Sequence, residues 1–361
     1  MQRLFLFLFF LAALWCCQRA ATPGPGAVQF DPQQAPYPKL SDYGFFTAVD
    51  EDGFAPNAGV LLYEPITTLF TDYAHKARYV WMPDSVQATV DDKGVLQFPD
   101  NSVLIKHFYY PADFRKPDEA RDLIETRLLM KKAGQWEAYT YVWNGEDTEA
   151  ELNLVGDFRQ AAWTDEQGRA RTVEYVVPNK NQCKSCHNQN KQLLPIGPKV
   201  RNLNAMLEYP DGTRQNQIAK WQAEGKLAEG DWSARFTALA DWADPASGSV
   251  EDRALAYLEV NCGHCHHPEG PAHTTGLYLH TDFKDQPAQL GICKSPVAAG
   301  KGSGGHRFGV APGRPEASIL LHRMQSDDPG VMMPEIGRAV AHEEGIALVR
   351  DWIAQLPGDC Q

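Results

Sequence analysis

Two pentapeptides of one pattern, Cys183-Lys184-Ser185-Cys186-His187 and Cys262-Gly263-His264-Cys265-His266, carry the most legible chemistry in this chain. In Cys-x-x-Cys-His the two thiols can add across the vinyl groups of a haem, and the adjacent imidazole becomes the proximal ligand of its iron. Two other uses of the pattern fit less well. A redox Cys-x-x-Cys needs no histidine after it, and a structural zinc wants four ligands gathered into one tetrahedron. The surrounding sequence gives no reason to bring the two pentapeptides together. Two separate haem c sites are therefore expected, with Cys183, Cys186, Cys262 and Cys265 as attachment points and His187 and His266 as proximal ligands.

The rest of the chain must position these groups. Residues 1–20 read as an export signal: Arg3 supplies the positive start, and Leu4 to Trp15 form an apolar run too short to span a bilayer comfortably. Cleavage near Ala20 or Ala21 is expected, the alternative being a lipid anchor on Cys16. A soluble, periplasmic or otherwise exported chain follows, with no transmembrane segment after the signal. Outside the pentapeptides the mature chain keeps Cys293 and Cys360, a candidate disulfide in an oxidising compartment, with buried or unpaired thiols as alternatives. The net charge of -12 argues against nucleic-acid binding, which needs a basic face, and fits a soluble surface or docking to a basic redox partner.

The pattern predicts an α+β multidomain chain. Residues 21–42 are rich in proline, glycine and glutamine and read as a linker. Residues 43–177 alternate with period two. A strand is predicted at "SVLIKHFYY" (102–110), a hairpin at 123–143 around "KKAGQ", and a second at 153–177 around "DEQG". An antiparallel β-domain is therefore expected there. Residues 178–245 hold the first pentapeptide, with helical spacing of Ile218, Trp221 and Leu227. From 246 to 361 an all-α domain is expected: Ser249 and Asp252 form a capping box for a helix running into Cys262, Pro315 opens another, and Ile346, Val349, Trp352, Ile353 and Leu356 share one face of the last.

The order helix, Cys262-x-x-Cys265-His266, "GVMMPEIG" (330–337) and terminal helix resembles a class I cytochrome c domain over 249–361. That resemblance implies a distal methionine just before a proline, which is Met333, with Met332 in reserve. A thioether ligand raises the reduction potential, and a six-coordinate iron suits electron transfer. The glycine-rich 299–315 would wrap the haem edge, with Arg314 or His306 near a propionate, while His264 and His267 are expected at the surface. The first site has no such loop. Its distal candidates are Met206, the one carried forward, then His107, His75 and Met82; an open sixth position is the alternative.

Stretches such as "LFTDYAHKARYVWMP", "FPDNSVLIKHF", "IETRLLM", "RNLN" and "GSGGHRFGVAPGRPEASILLHRM" resemble an uncharacterised family of bacterial dihaem c-type cytochromes, which implies an exported electron carrier. "FPDNSVLIKHF" is also similar to the lysine-bearing strand of cytochrome P460, which would make Lys106 a haem-linked lysine beside an open site; as an ordinary strand residue it would face solvent. The leading expectation is electron transfer between redox partners through two haems. The alternatives are a haem redox enzyme working at the first site, with the second as electron outlet, and a β-domain that docks a partner.

Overall fold

The computed structural model describes residues 28–50 and 53–360. The expected export signal, Cys16 and the first part of the expected linker lie outside them. The remainder of that linker is packed: Ala35 and Leu40 are buried against Tyr43 and Phe45, with Val28, Phe30 and Tyr37 beside them. Among the described residues no helix is long and apolar enough to cross a membrane.

Two strands, β1 (Phe46–Asp50) and β2 (Gly53–Pro56), form a first hairpin. The main sheet then uses β3 (Val60–Leu62) and β4 (His75–Trp81). A short pair, β5 (Thr89–Val90) with β6 (Leu96–Gln97), interrupts it before β7 (Val103–Pro111), β8 (Arg121–Lys132), β9 (Gln135–Trp143) and β10 (Ala150–Asn153). The sheet is antiparallel, in the order β10-β9-β8-β7-β4-β3. The hairpin expected within 123–143 is β8–β9, turning at Ala133 and Gly134 in left-handed backbone. The second expected hairpin is β11 (Asp157–Thr164) with β12 (Ala170–Val177).

Alternation along these strands divides the sheet into two faces. Ala77, Tyr79, Val103, Ile105, Leu128 and Met130 pack under the N-terminal segment. The opposite face is covered in pieces. Phe108 and Ile124 meet Trp163, Val173 and Tyr175 of the second hairpin. Val80, Leu104 and Trp136 meet Val200, Leu203, Ile218 and Trp221. These last come from α2 (Val200–Leu203) and α3 (Gln217–Ala223), which follow α1 (Lys180–Cys186) and precede α4 (Trp232–Arg235).

The all-α expectation for 246–361, and with it the class I cytochrome c domain, is overturned. Among the described residues 28% are strand against 21% helix, in seven short helices. Only α5 (Val250–Asn261), α6 (Ile319–Gln325) and α7 (Glu343–Gln355) lie in that region. Between α5 and α6 run turns and four short 3-10 segments, and Pro315 opens the last of these rather than α6, which begins at Ile319. The physical reason is composition: glycines at 291, 300, 304, 305 and 313 sit at positive φ, which a continuing helix cannot use. The predicted ends are nevertheless present, since Ser249 and Asp252 close a reciprocal capping box on α5. Trp352 and Ile353 of α7 are buried against Leu255 and Leu258 of α5.

The β-region and the C-terminal part share buried contacts. Asp72 accepts from the backbone N–H of Ala339 (2.7 Å) and Val340 (2.9 Å), and Asn261 from that of Phe70 (2.7 Å).

Cys293 and Cys360 are joined by a disulfide that closes a loop of sequence separation 67 and ties the tail after α7 to the loop before α6. In the chain-entropy picture such a crosslink contributes roughly 2–4 kcal/mol. The double variant Cys293→Ser/Cys360→Ser should therefore unfold at lower urea concentration, by an amount in that range; an unchanged midpoint would count against it.

Candidate functional site

Local structure places the histidines that end the two motifs, and a hydrogen bond fixes the first of them. Asn179 caps α1 through the amides of Asn181 and Gln182, and the Gln182 side chain returns a bond to the cap. His187 ends that helix, and a small hairpin, β13 (Asn188–Gln189) with β14 (Gln192–Leu193), turns the chain back. Leu194 N–H then donates to the His187 carbonyl (2.8 Å), and His187 Nδ1 donates to the Leu194 carbonyl (2.8 Å). That bond sets the tautomer and leaves Nε2 unprotonated, the nitrogen that could ligate a metal. His266 follows α5 through Cys265, whose N–H reaches the Cys262 carbonyl (3.0 Å). Its Nδ1 is buried and directed towards the Leu277 carbonyl without closing a full hydrogen bond. Burial lowers both imidazoles to about 4, so each is neutral at neutral pH, the form that binds a metal.

The two motifs are not separate. Cys186 Sγ, Cys265 Sγ and a ring nitrogen of His264 all lie within 4.8 Å of one another. A hydrogen bond from the Cys265 thiol stabilises Cys186 as thiolate and pushes Cys265 up. Burial, followed by the negative charges of Glu125 and Cys186, raises Cys183, and burial pushes Cys262 up to about 12. Two cavities meet at the motifs, and Cys186 and Cys262 line both. One, of about 230 Å³, is lined by Cys183, Cys186 and His187 together with the covered face of the main sheet. The other, of about 570 Å³, is lined by Cys262, Cys265 and His266 with Leu277, Val310 and Leu320. Cys186, His264, Met324, Met333 and Pro334 belong to both walls, so the cavities adjoin.

Met333 thus stands where both cavities meet, in the same wall as His266. Met332 is buried and lines neither. The loop is held by Arg338, which sequence reasoning missed. Its guanidinium donates to the carbonyls of Ser326 (2.8 Å), Met333 (3.2 Å), Arg323 and Met324 (both 3.3 Å). No periodicity marks an arginine whose partners are backbone carbonyls at the end of α6 and in its own loop.

The distal candidates for the first site are elsewhere. Met206 is 54% exposed on β15 (Met206–Glu208), paired with β16 (Arg214–Asn216), and lines neither cavity. His107 faces the opposite side of the sheet, fully buried, with Nδ1 on the Thr126 hydroxyl (2.7 Å) and its ring stacked on Phe54. His75 sits by Phe114, and Met82 lies in the core against α2 and α3. Arg314 pairs with Asp359 (2.8 Å), and neither it nor His306 reaches a cavity wall. His264, expected at the surface, is at the junction of the motifs; His267 Nδ1 accepts from the Glu269 N–H.

Lys106 does not face solvent. It lines the first cavity in a row of three directly opposed cations, Arg78 on β4, Lys106 on β7 and Arg127 on β8. The alternation carried this signal, for Lys106 shares its face with Leu104 and Phe108, two residues away on either side. Arg127 is neutralised by Glu125, through Nη2 at 2.5 Å and Nε at 3.0 Å. Arg78, 6% exposed, and Lys106 have no hydrogen bond or ion pair among the described residues, although Lys106 lies 4.8 Å above the Phe108 ring. Burial, followed by the neighbouring cations, holds Lys106 well below its ordinary value. At ~5 Å and an effective dielectric near 20, two unit charges repel by about 3 kcal/mol.

Comparison with family models, curated proteins and solved structures yields no match to this chain.

Arg338→Lys keeps the charge but cannot hold four carbonyls, so a loss of about 1–3 kcal/mol in unfolding free energy is expected. Acid should also destabilise the fold. Burial lowers His107 to about 3 and His75 and His342 to about 4. As pH falls below 6.5 the unfolded chain takes up protons that the folded chain refuses, so stability drops from about pH 6.5 to about pH 4 and, for His107, to about pH 3. His107→Phe should flatten the pH dependence by up to one proton, about 1.4 kcal/mol per pH unit; an unaltered slope would exclude His107 as a source.

Proposed function

We propose that the chain is a two-haem c-type redox protein that passes electrons between partners. The observation that carries this reading is that each Cys-x-x-Cys-His opens onto a cavity with its histidine neutral and half-buried. Cys183 and Cys186 would attach one group beside His187. Cys262 and Cys265 would attach the other beside His266, with Met333 as its sixth ligand. Haem, when bound, supplies reversible one-electron chemistry at iron. The protein's own contribution is to fix the His187 imidazole through the Leu194 carbonyl, pin the methionine loop through Arg338, and keep the two attachment sites adjacent. An exported location suits this chemistry.

A catalytic first site is the second reading, favoured by two observations. None of Met206, His107, His75 and Met82 lines its cavity, and unpaired cations do. The Cys186–His264–Cys265 cluster supports a competing use, as a metal-ion site. Two thiolates at 2.3 Å from one zinc stand about 3.8 Å apart, compatible with the cluster, but only three ligands converge where a structural zinc takes four. The uses exclude each other, because a thioether sulfur no longer offers a thiolate.

Pyridine haemochrome and metal analysis of the purified chain decide between them. Two haems per chain and no stoichiometric zinc are expected, falling to one haem in Cys183→Ala/Cys186→Ala and likewise in Cys262→Ala/Cys265→Ala. Stoichiometric zinc without haem would overturn the proposal. A carbon-monoxide-binding fraction lost with the first pair would favour the catalytic reading.

A further inference from the structure

The cation row of the main sheet has no structural use in view. Like charges directly opposed on neighbouring strands weaken a sheet. Here Arg78 faces Lys106, and Lys106 faces Arg127, at the centre of six strands. A fourth cation, Lys76, opposes Phe108 one step along and donates to the Ala74 carbonyl (2.8 Å). Against these stands one buried carboxylate, Glu125, already engaged by Arg127 and by the Tyr175 hydroxyl (2.6 Å). Glu64 is exposed, and Asp72 is occupied by the amides of Ala339 and Val340. The Arg78 and Lys106 donors are therefore free among the described residues. Both line the first cavity, as does Tyr63, whose hydroxyl has no partner there either. A guanidinium and an ammonium side by side at a cavity wall match two oxygens of one anion.

We propose that Arg78 and Lys106, backed by Arg127, form a binding site for a carboxylate or small oxyanion in the wall of the first cavity. Its occupant is either the carboxylates of a haem held by Cys183 and Cys186, which rests on the two-haem reading, or a free anion, which does not. In both cases an anion relieves the opposed charges and uses the idle donors.

Titration calorimetry with sodium nitrite and with sodium formate, at constant ionic strength, on the full purified chain tests the free-anion arm. Saturable binding is expected in the wild type, at least ten-fold weaker in Arg78→Gln and in Lys106→Met. Where the wild type binds neither anion, haem carboxylates are the occupant. The variants should then shift the reduction equilibrium of one haem about ten-fold towards the oxidised form, about 59 mV for one electron. Lys106→Met removes a repelling charge while keeping the stem, so it remains informative if Arg78→Gln does not fold. Anion binding equal in wild type and variants, or no binding together with unchanged potentials, would overturn the site. Haem content is measured separately, so a chain without haem is still judged by the calorimetry.

Discussion

A buried carboxylate holds the two halves of this molecule together. Asp72 is 2% exposed, and a charge taken out of water persists only where donors replace the water. Those donors are the amides of Ala339 and Val340, directly after the methionine loop. Burial raises Asp72, and the same two amides oppose that rise. The tie sets the segment after the Met-Pro loop against the second face of the sheet, where Ala339 and Val340 pack on the cluster of Phe108, Tyr110 and Ile124. Without that closure the sheet would present its cations to water and neither cavity would have a complete wall.

Local signals were legible and long-range ones were not. The two hairpins follow from alternation and turn residues, α5 from its capping box, and α7 from a single apolar face ending at Pro357. Each is decided within a few residues of chain. The meeting of Cys186 with Cys265 is decided by how α1 and the turn after α5 pack, and no periodic pattern encodes that contact. The all-α expectation failed for a related reason. Two helices in the expected places, α5 and α7, and an α6 that begins at Ile319 rather than at Pro315 do not make an all-α domain, because the glycine-rich chain between α5 and α6 supplies cavity wall from turns.

Charge tells a similar story at two scales. The chain carries a net -12, yet the wall of the first cavity carries the cations Arg78, Lys106 and Arg127. Composition averages over such a feature, because the surplus acids lie outside and a few cations lie on one sheet face. Lys106 was visible as a residue and misread as an environment. A lysine between Leu104 and Phe108 on one strand parity belongs to a covered face, and the covering arrives from far along the sequence.

The closeness of Cys186 to Cys265 also constrains how the chain can be completed. In an oxidising compartment, two thiols this near stand one oxidation from a bond with each other. Such a bond would take one sulfur from each motif in a single step. Yet the same chain forms a disulfide between Cys293 and Cys360. Under the two-haem reading it must therefore be oxidised at one pair of cysteines and kept reduced at the other four until haem attaches. Maturation is then a race, in which the order of sulfur chemistry decides whether the two sites come into being.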